Sequence, residues 1–146
     1  MLQNLPMQRD DLTRRIDAIE EAYEFFLAFA AQGLDEGEAS SGSQLRHHLS
    51  RADEALGGIV DVFEGLIKTE ELSAAHTYVE FALVLARDAE SARAAIRLVE
   101  AMKTVSAQLI DNLNASIHVR ALLTDLFLID EVLKLDTESK RVPGPQ

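Results

Sequence analysis

Leu12, Ile16, Ile19, Tyr23, Phe26 and Ala30 recur at alternating spacings of four and three, which aligns them on one stripe of a helix. The pattern predicts a first helix that starts at Asp10 or Asp11, either of which is a good N-cap, and ends at Gln32 before Gly33. From Ala22 to Ala31 only Glu24 is charged, so this end of the helix is expected to be covered on more than one side. A second stripe, Leu45, Leu49, Ala52, Leu56, Ile59, Phe63 and Leu66, keeps the same alternation from a cap at Ser43 to Lys68. Unbroken spacing of this kind favours near-parallel packing at shallow crossing angles. Gly57 and Gly58 lie inside the stripe and cost about 1 kcal/mol each relative to alanine, which marks a close helix contact, a kink or a weak point.

The contrast between faces fades in the third predicted helix, capped by Thr69 and running to Arg87. Between Leu72 and Ala86 its only acidic or basic residue, histidine aside, is Glu80. With Leu72, Ala75, Val79, Leu83 and Ala86 taken as the inward row, His76 is expected to be buried, and Phe81, Val84 and Leu85 lie off the row. A helix apolar on nearly all sides is either central in its fold or covered by a partner. A fourth helix, capped by Asp88 or Ser91, turns Ala92, Ala95, Val99, Met102, Leu109 and Leu113 inward, and a fifth carries Val119, Leu122, Leu126, Ile129 and Leu133. No glycine enforces the breaks near 88 and 112, so one of them is equally read as a bend within a longer helix. All three prolines lie at 6, 143 and 145, and no stretch alternates with the period of a strand. The expectation is an all-α fold, a four- to five-helix, mostly antiparallel bundle in one domain over 1–135, with a flexible acidic loop at 33–42 and a disordered tail at 136–146.

Length and charge narrow the function classes. A chain of 146 residues with 47% hydrophobic and 27% charged residues is sized for one folded domain. Its formal net charge of −11 repels phosphate backbones and anionic membranes, so no nucleic acid and no membrane partner is expected, whereas basic protein surfaces and cations are favoured. The absence of cysteine excludes thiolate nucleophiles, disulfides and metal–thiolate sites. The N-terminal residues do not resemble a secretory signal, and no apolar run reaches the ~18 residues of a membrane span. A cytoplasmic location is expected.

The motifs of catalysis are missing. No histidine has a glutamate three residues before it, the spacing by which helical bundles hold two metals, and His76 with Glu80 is a single pair. Neither a nucleophile elbow nor a glycine-rich phosphate loop is present. No enzyme activity, no metal site and no cofactor is expected.

His47 is different. Relative to the Leu45/Leu49/Ala52/Leu56 stripe it falls on the polar face with Arg51, Glu54 and Asp61, while His48 falls on the shoulder. The stretch HHLSRADEALG, His47 to Gly57, resembles the active helix of histidine phosphotransfer domains, with His47, Leu49, Ala52, Leu56 and Gly57 matching in type and spacing. The family's lysine is Ser50 here and its glycine is Arg51. The resemblance implies a helical bundle in which His47 exchanges a phosphoryl group with a receiver aspartate and Arg51 contacts the phosphate.

Heptad seams on two helices and an apolar surplus on a third predict more buried area than one small bundle needs. A homodimer or a constitutive protein partner is therefore expected, with Phe81, Val84 and Leu85, or Phe25 and Phe29 at the aromatic end of the first helix, at the interface. By analogy of fold and charge, the leading functional expectation is a non-catalytic interaction module, an adaptor, regulator or assembly chaperone. The alternative is the phosphotransfer protein built on His47.

Overall fold

The computed structural model describes residues 4–141, and side chains from Gln8 to Glu138. Helices follow in the order α1 (Asn4–Gln32), α2 (Gly42–Gly57), α3 (Ile59–Thr69), α4 (Ala75–Glu100), α5 (Ala107–Ala115) and α6 (Ile117–Arg141). They form an all-α bundle. The second stripe passes through the glycine pair without losing phase: all seven of its residues are buried, four of them on α2 and three on α3. The two segments therefore act as one rod with a break at Gly58.

Side-chain pairs fix the directions of the rods. Arg9 pairs with Glu70, and Arg51 with Glu21 at 3.1 Å, so α1 runs antiparallel to α2 and α3. Arg93 meets Asp53 at 2.8 Å while Arg46 donates to the Glu100 carbonyl at 2.7 Å, so α4 opposes α2. Ser73 and Tyr78 reach Asp136 and Val132, so α6 opposes α4. Short α5 packs on α1, α4 and α6. The rods converge on a small cavity of about 20 Å³ among Ile19, Phe26, Ala52, Leu56, Ile96 and Leu122.

Four expectations about the chain's course differ from the structure. Helix α1 starts at Asn4 rather than at Asp10 or Asp11. The break near 88 is absent, and α4 continues to Glu100; the chain turns instead at 101–106, within the fourth predicted helix. That turn is held by distant groups. Arg46 donates to the carbonyls of Glu100 and Met102 (2.7 and 2.8 Å), Val105 is buried, and the Ser106 hydroxyl accepts from Leu109 N at 3.0 Å to start α5. Thr69 ends α3 rather than starting a helix, its hydroxyl donating to Gln8 Oε1 at 2.6 Å. Finally, α6 extends through Arg141, past the expected start of the tail at 136, and Asp136 is buried. The remaining tail, 142–146, lies outside the described residues.

The acidic loop is anchored to the fold. Glu36 receives two hydrogen bonds from Arg46 (2.7 and 3.0 Å), its Oε1 also accepts from Val105 N, and its own N donates to the Val105 carbonyl at 2.9 Å. The Arg46 hydrogen bonds hold the Glu36 carboxyl below its usual pKa. Gly42 closes the loop: a Cβ there would stand 1.7 Å from the Glu36 carbonyl oxygen, so this approach excludes every other residue. At the α2–α3 break, Arg15 donates to the carbonyls of Glu54 and Ala55 (3.3 and 2.9 Å), and its guanidinium fills the space beside Gly58 that a side chain would take.

Candidate functional site

The seam between α4 and α6 opens into an apolar groove of about 310 Å³. Thr77, Tyr78 and Phe81 line it from α4, Leu128 and Val132 from α6, and Phe63 of α3 forms the floor with its ring edge-on to Tyr78 at 6.2 Å. Helical spacing creates both walls. Thr77, Phe81 and Val84 recur at four and three on α4, and Leu128, Val132 and Leu135 do so on α6. These rows stand one face over from the core rows, so they follow the seam without being closed by it. Leu128 and Leu135 are 50% and 53% exposed, an unusual concentration of uncovered aliphatic surface beside a buried aromatic floor.

Carboxyl groups stand at both ends. At one end Asp136 is buried; its Oδ1 accepts from Ser73 Oγ at 3.2 Å and its Oδ2 has no hydrogen-bond partner among the described residues. The neighbouring Tyr78 hydroxyl, 3.4 Å from the Val132 carbonyl, has its pKa raised by burial and by the Asp136 charge. At the other end, one turn before Leu128 on the same face of α6, Asp125 is buried beside Asp88 of α4. Burial and then the neighbouring Asp88 push Asp125 up to about 7, so near neutrality about half of Asp125 carries a proton.

The residues singled out from the sequence are only partly brought together. Phe81 lines the groove and Val84 is exposed beside it. Leu85 does not belong to a surface: it is fully buried, because the inward row of α4 is Ala82, Leu85, Ala89, Ala92, Ile96 and Val99. The opposite assignment of that helix fails for one reason. Its first half is apolar all round, and the polar residues that orient it, Glu90 and Arg97, lie beyond the break assumed at 88. Val79 and Leu83 consequently face solvent, and so does His76, whose Nε2 lies 3.9 Å from Glu80 Oε1.

Phe29 is likewise inside the core, and Phe25 is half-buried with its ring stacked on His48 at a centroid distance of 4.2 Å. The aromatic end of α1 is thus covered by the chain's own α2. Burial, then the charges of His47 and Arg51, holds His48 below the usual histidine pKa. His47 is exposed, and Arg51 is engaged by Glu21 rather than turned free toward it.

Tyr78, Leu128, Val132, Asp125 and Asp136 are the residues that sequence reasoning misses. The Leu128/Val132/Leu135 row was the available signal, a second apolar row beside the inward row of the last helix. Elsewhere, a groove of about 380 Å³ between α2 and α4 is lined by Gly57, Ala89, Arg93 and Arg97, but both arginines are already satisfied by Asp53. Among the described residues no group of three or more histidine and acidic side chains is placed to hold a metal, and no helix is long and apolar enough to cross a membrane. No protein-family model matches the chain, and no curated protein or solved structure was found to be significantly similar to it.

Proposed function

We propose that this chain is a non-catalytic protein-interaction module, an adaptor, regulator or assembly factor that receives an apolar segment of another protein in the α4–α6 groove. One observation carries the reading: an aromatic-floored groove with exposed aliphatic side chains on its α6 wall and Thr77, Tyr78 and Phe81 on its α4 wall. Apolar positions at helical spacing on both walls suit a helix laid along the seam, the arrangement by which grooves read partner residues at i, i+3 or i+4, and i+7. The acidic surface supplies orientation and speed of encounter rather than most of the affinity.

A photo-crosslinking amino acid at Leu128 or Val132, with Glu90 on the outer face of α4 as control, tests this in cells. The expected result is a discrete crosslinked partner from the groove positions and none from Glu90. Equal labelling from all three positions removes the groove from the function.

Phosphotransfer on His47 is a second reading, favoured by the exposure of that ring on α2. It requires acid-labile phosphate that disappears in His47→Ala while helicity is retained. The interaction reading expects His47→Ala to bind the partner unchanged.

A further inference from the structure

The groove's ends differ in kind from its walls, and this difference identifies the chemistry of what fits there. The walls are aliphatic and aromatic. The ends hold Asp136, whose buried Oδ2 has no hydrogen-bond partner among the described residues, and Asp125 beside Asp88. Over 75–88 and 121–138, the stretches that build both sides of the seam, acidic residues outnumber basic ones seven to two.

From this complementarity we infer that the occupant is a cationic amphipathic helix of a different protein, with three large apolar side chains along one face and lysine or arginine at both ends of that face. The inference rests on the groove being the docking surface proposed above. The dimensions agree: Ala74 to Phe81 spans seven residues of α4, about 10 Å at ~1.5 Å per residue, which is the distance from i to i+7 on a partner helix. Asp125 and Asp136 are eleven residues apart on α6, about 16 Å, so basic residues at i−3 and i+8 of the partner helix, also eleven apart, match the two carboxyl ends. At Asp136 a buried carboxylate oxygen without a partner is costly, and an incoming ammonium or guanidinium removes that cost while adding a charge-assisted hydrogen bond. A second copy of this chain fits less well. Each copy has a formal net charge of −11, and a two-fold contact through this seam sets acidic ends against acidic flanks.

The test uses the full chain and two synthetic helical peptides with leucine at i, i+4 and i+7, one flanked by lysine and arginine, the other by glutamate in the same positions. Binding is followed by fluorescence anisotropy at low and moderate salt, and the oligomeric state by sedimentation. The cationic peptide is expected to bind at least about tenfold more tightly than the acidic one and to lose about that factor when salt is raised. Leu128→Gln with Val132→Gln, both at exposed positions, is expected to weaken the cationic peptide about tenfold or more with the circular dichroism unchanged, and Asp136→Asn to weaken it about threefold or more.

Equal binding of both peptides, lost in the Leu128/Val132 variant, overturns the charge inference and leaves the groove as a docking site. Failure of both peptides to bind, or binding indifferent to that variant, overturns both. A dimer that the Leu128/Val132 variant converts to monomer makes a second copy the occupant and also overturns the inference.

Discussion

Replacing Asp125 by asparagine removes a charge that the fold resists, and the new amide N–H can donate to Asp88. The magnitude follows from the position of the group. A carboxyl moved from 3.8 to about 7 by burial and by Asp88 carries roughly 4 kcal/mol of unfavourable free energy when ionised, at ~1.36 kcal/mol per pH unit. Asp88 is only half-buried, and water beside it screens the repulsion, so a gain of about 2 kcal/mol in Asp125→Asn is expected at pH 8. That corresponds to a rise of about 6 °C in Tm for a chain of this size. The sign is set by the raised pKa. Between roughly pH 4 and 7 the folded chain binds more protons than the unfolded one, so the stability from the protonated pair is complete below the unfolded value and is lost as pH rises through 7. At pH 4 the wild type and the variant are therefore expected to differ by less than about 0.5 kcal/mol. The effects of Glu36, lowered by Arg46, and His48, lowered by burial, are common to both proteins and cancel in the difference. Denaturant titrations of both proteins at pH 4, 6 and 8 measure it. A difference that does not grow with pH, or an Asp125→Asn variant less stable than wild type at pH 8, refutes a raised Asp125 pKa at the seam.

Gly42→Ala is expected to cost about 2–3 kcal/mol, because the new methyl meets backbone at 1.7 Å rather than a movable side chain; thermal unfolding reads it, and a loss under 0.5 kcal/mol shows that the loop yields without strain. Arg46→Lys keeps the charge but not the fork that joins Glu36 to the end of α4, so a loss of about 2 kcal/mol and faster amide exchange at 101–106 are expected. Leu85→Ala is expected to cost about 3 kcal/mol, whereas Leu83→Ser, at a position 60% exposed, is expected to stay within about 0.5 kcal/mol of wild type in the same denaturant series. Equal costs at 83 and 85 contradict the orientation of α4.

The contrast between Leu83 and Leu85 also explains which parts of the fold are legible in the sequence. The α2–α3 stripe is unambiguous because Arg46, His47, Arg51, Glu54 and Asp61 mark its outer face, and every residue assigned inward there is buried. The row Val119, Leu122, Leu126, Ile129 and Leu133 is read from the same kind of contrast and is buried throughout. In the first half of α4 no such contrast exists. Four of its residues, Val79, Phe81, Leu83 and Leu85, are of similar hydropathy, and periodicity alone leaves the choice of face open. The turn at 101–106 is illegible for another reason, because the groups that satisfy it, on Arg46 and Glu36, are more than fifty residues away in sequence.

Both kinds of ambiguity meet in the groove. Its α6 wall is written locally, in the four-three spacing of Leu128, Val132 and Leu135, whereas its existence depends on that row being set against Thr77 and Phe81 by an antiparallel register that Ser73–Asp136 and Tyr78–Val132 define. Asp125 makes the same point in chemical terms. In the segment Thr124–Asp130 it reads as an ordinary solvated carboxylate, and only the approach of α4 turns it into a buried group held above the usual carboxylate range by burial and by Asp88. The apolar surplus that suggests a partner is thus real, but part of it is closed by the chain itself at Leu85 and Phe29. The part left exposed includes Val79, Leu83 and Phe127 as well as the Leu128/Val132/Leu135 row beside the seam, and the proposed docking surface depends on the register of the two helices rather than on either alone. Changing a residue that sets the register, such as Tyr78, is for that reason expected to affect binding even where the exposed leucines are untouched.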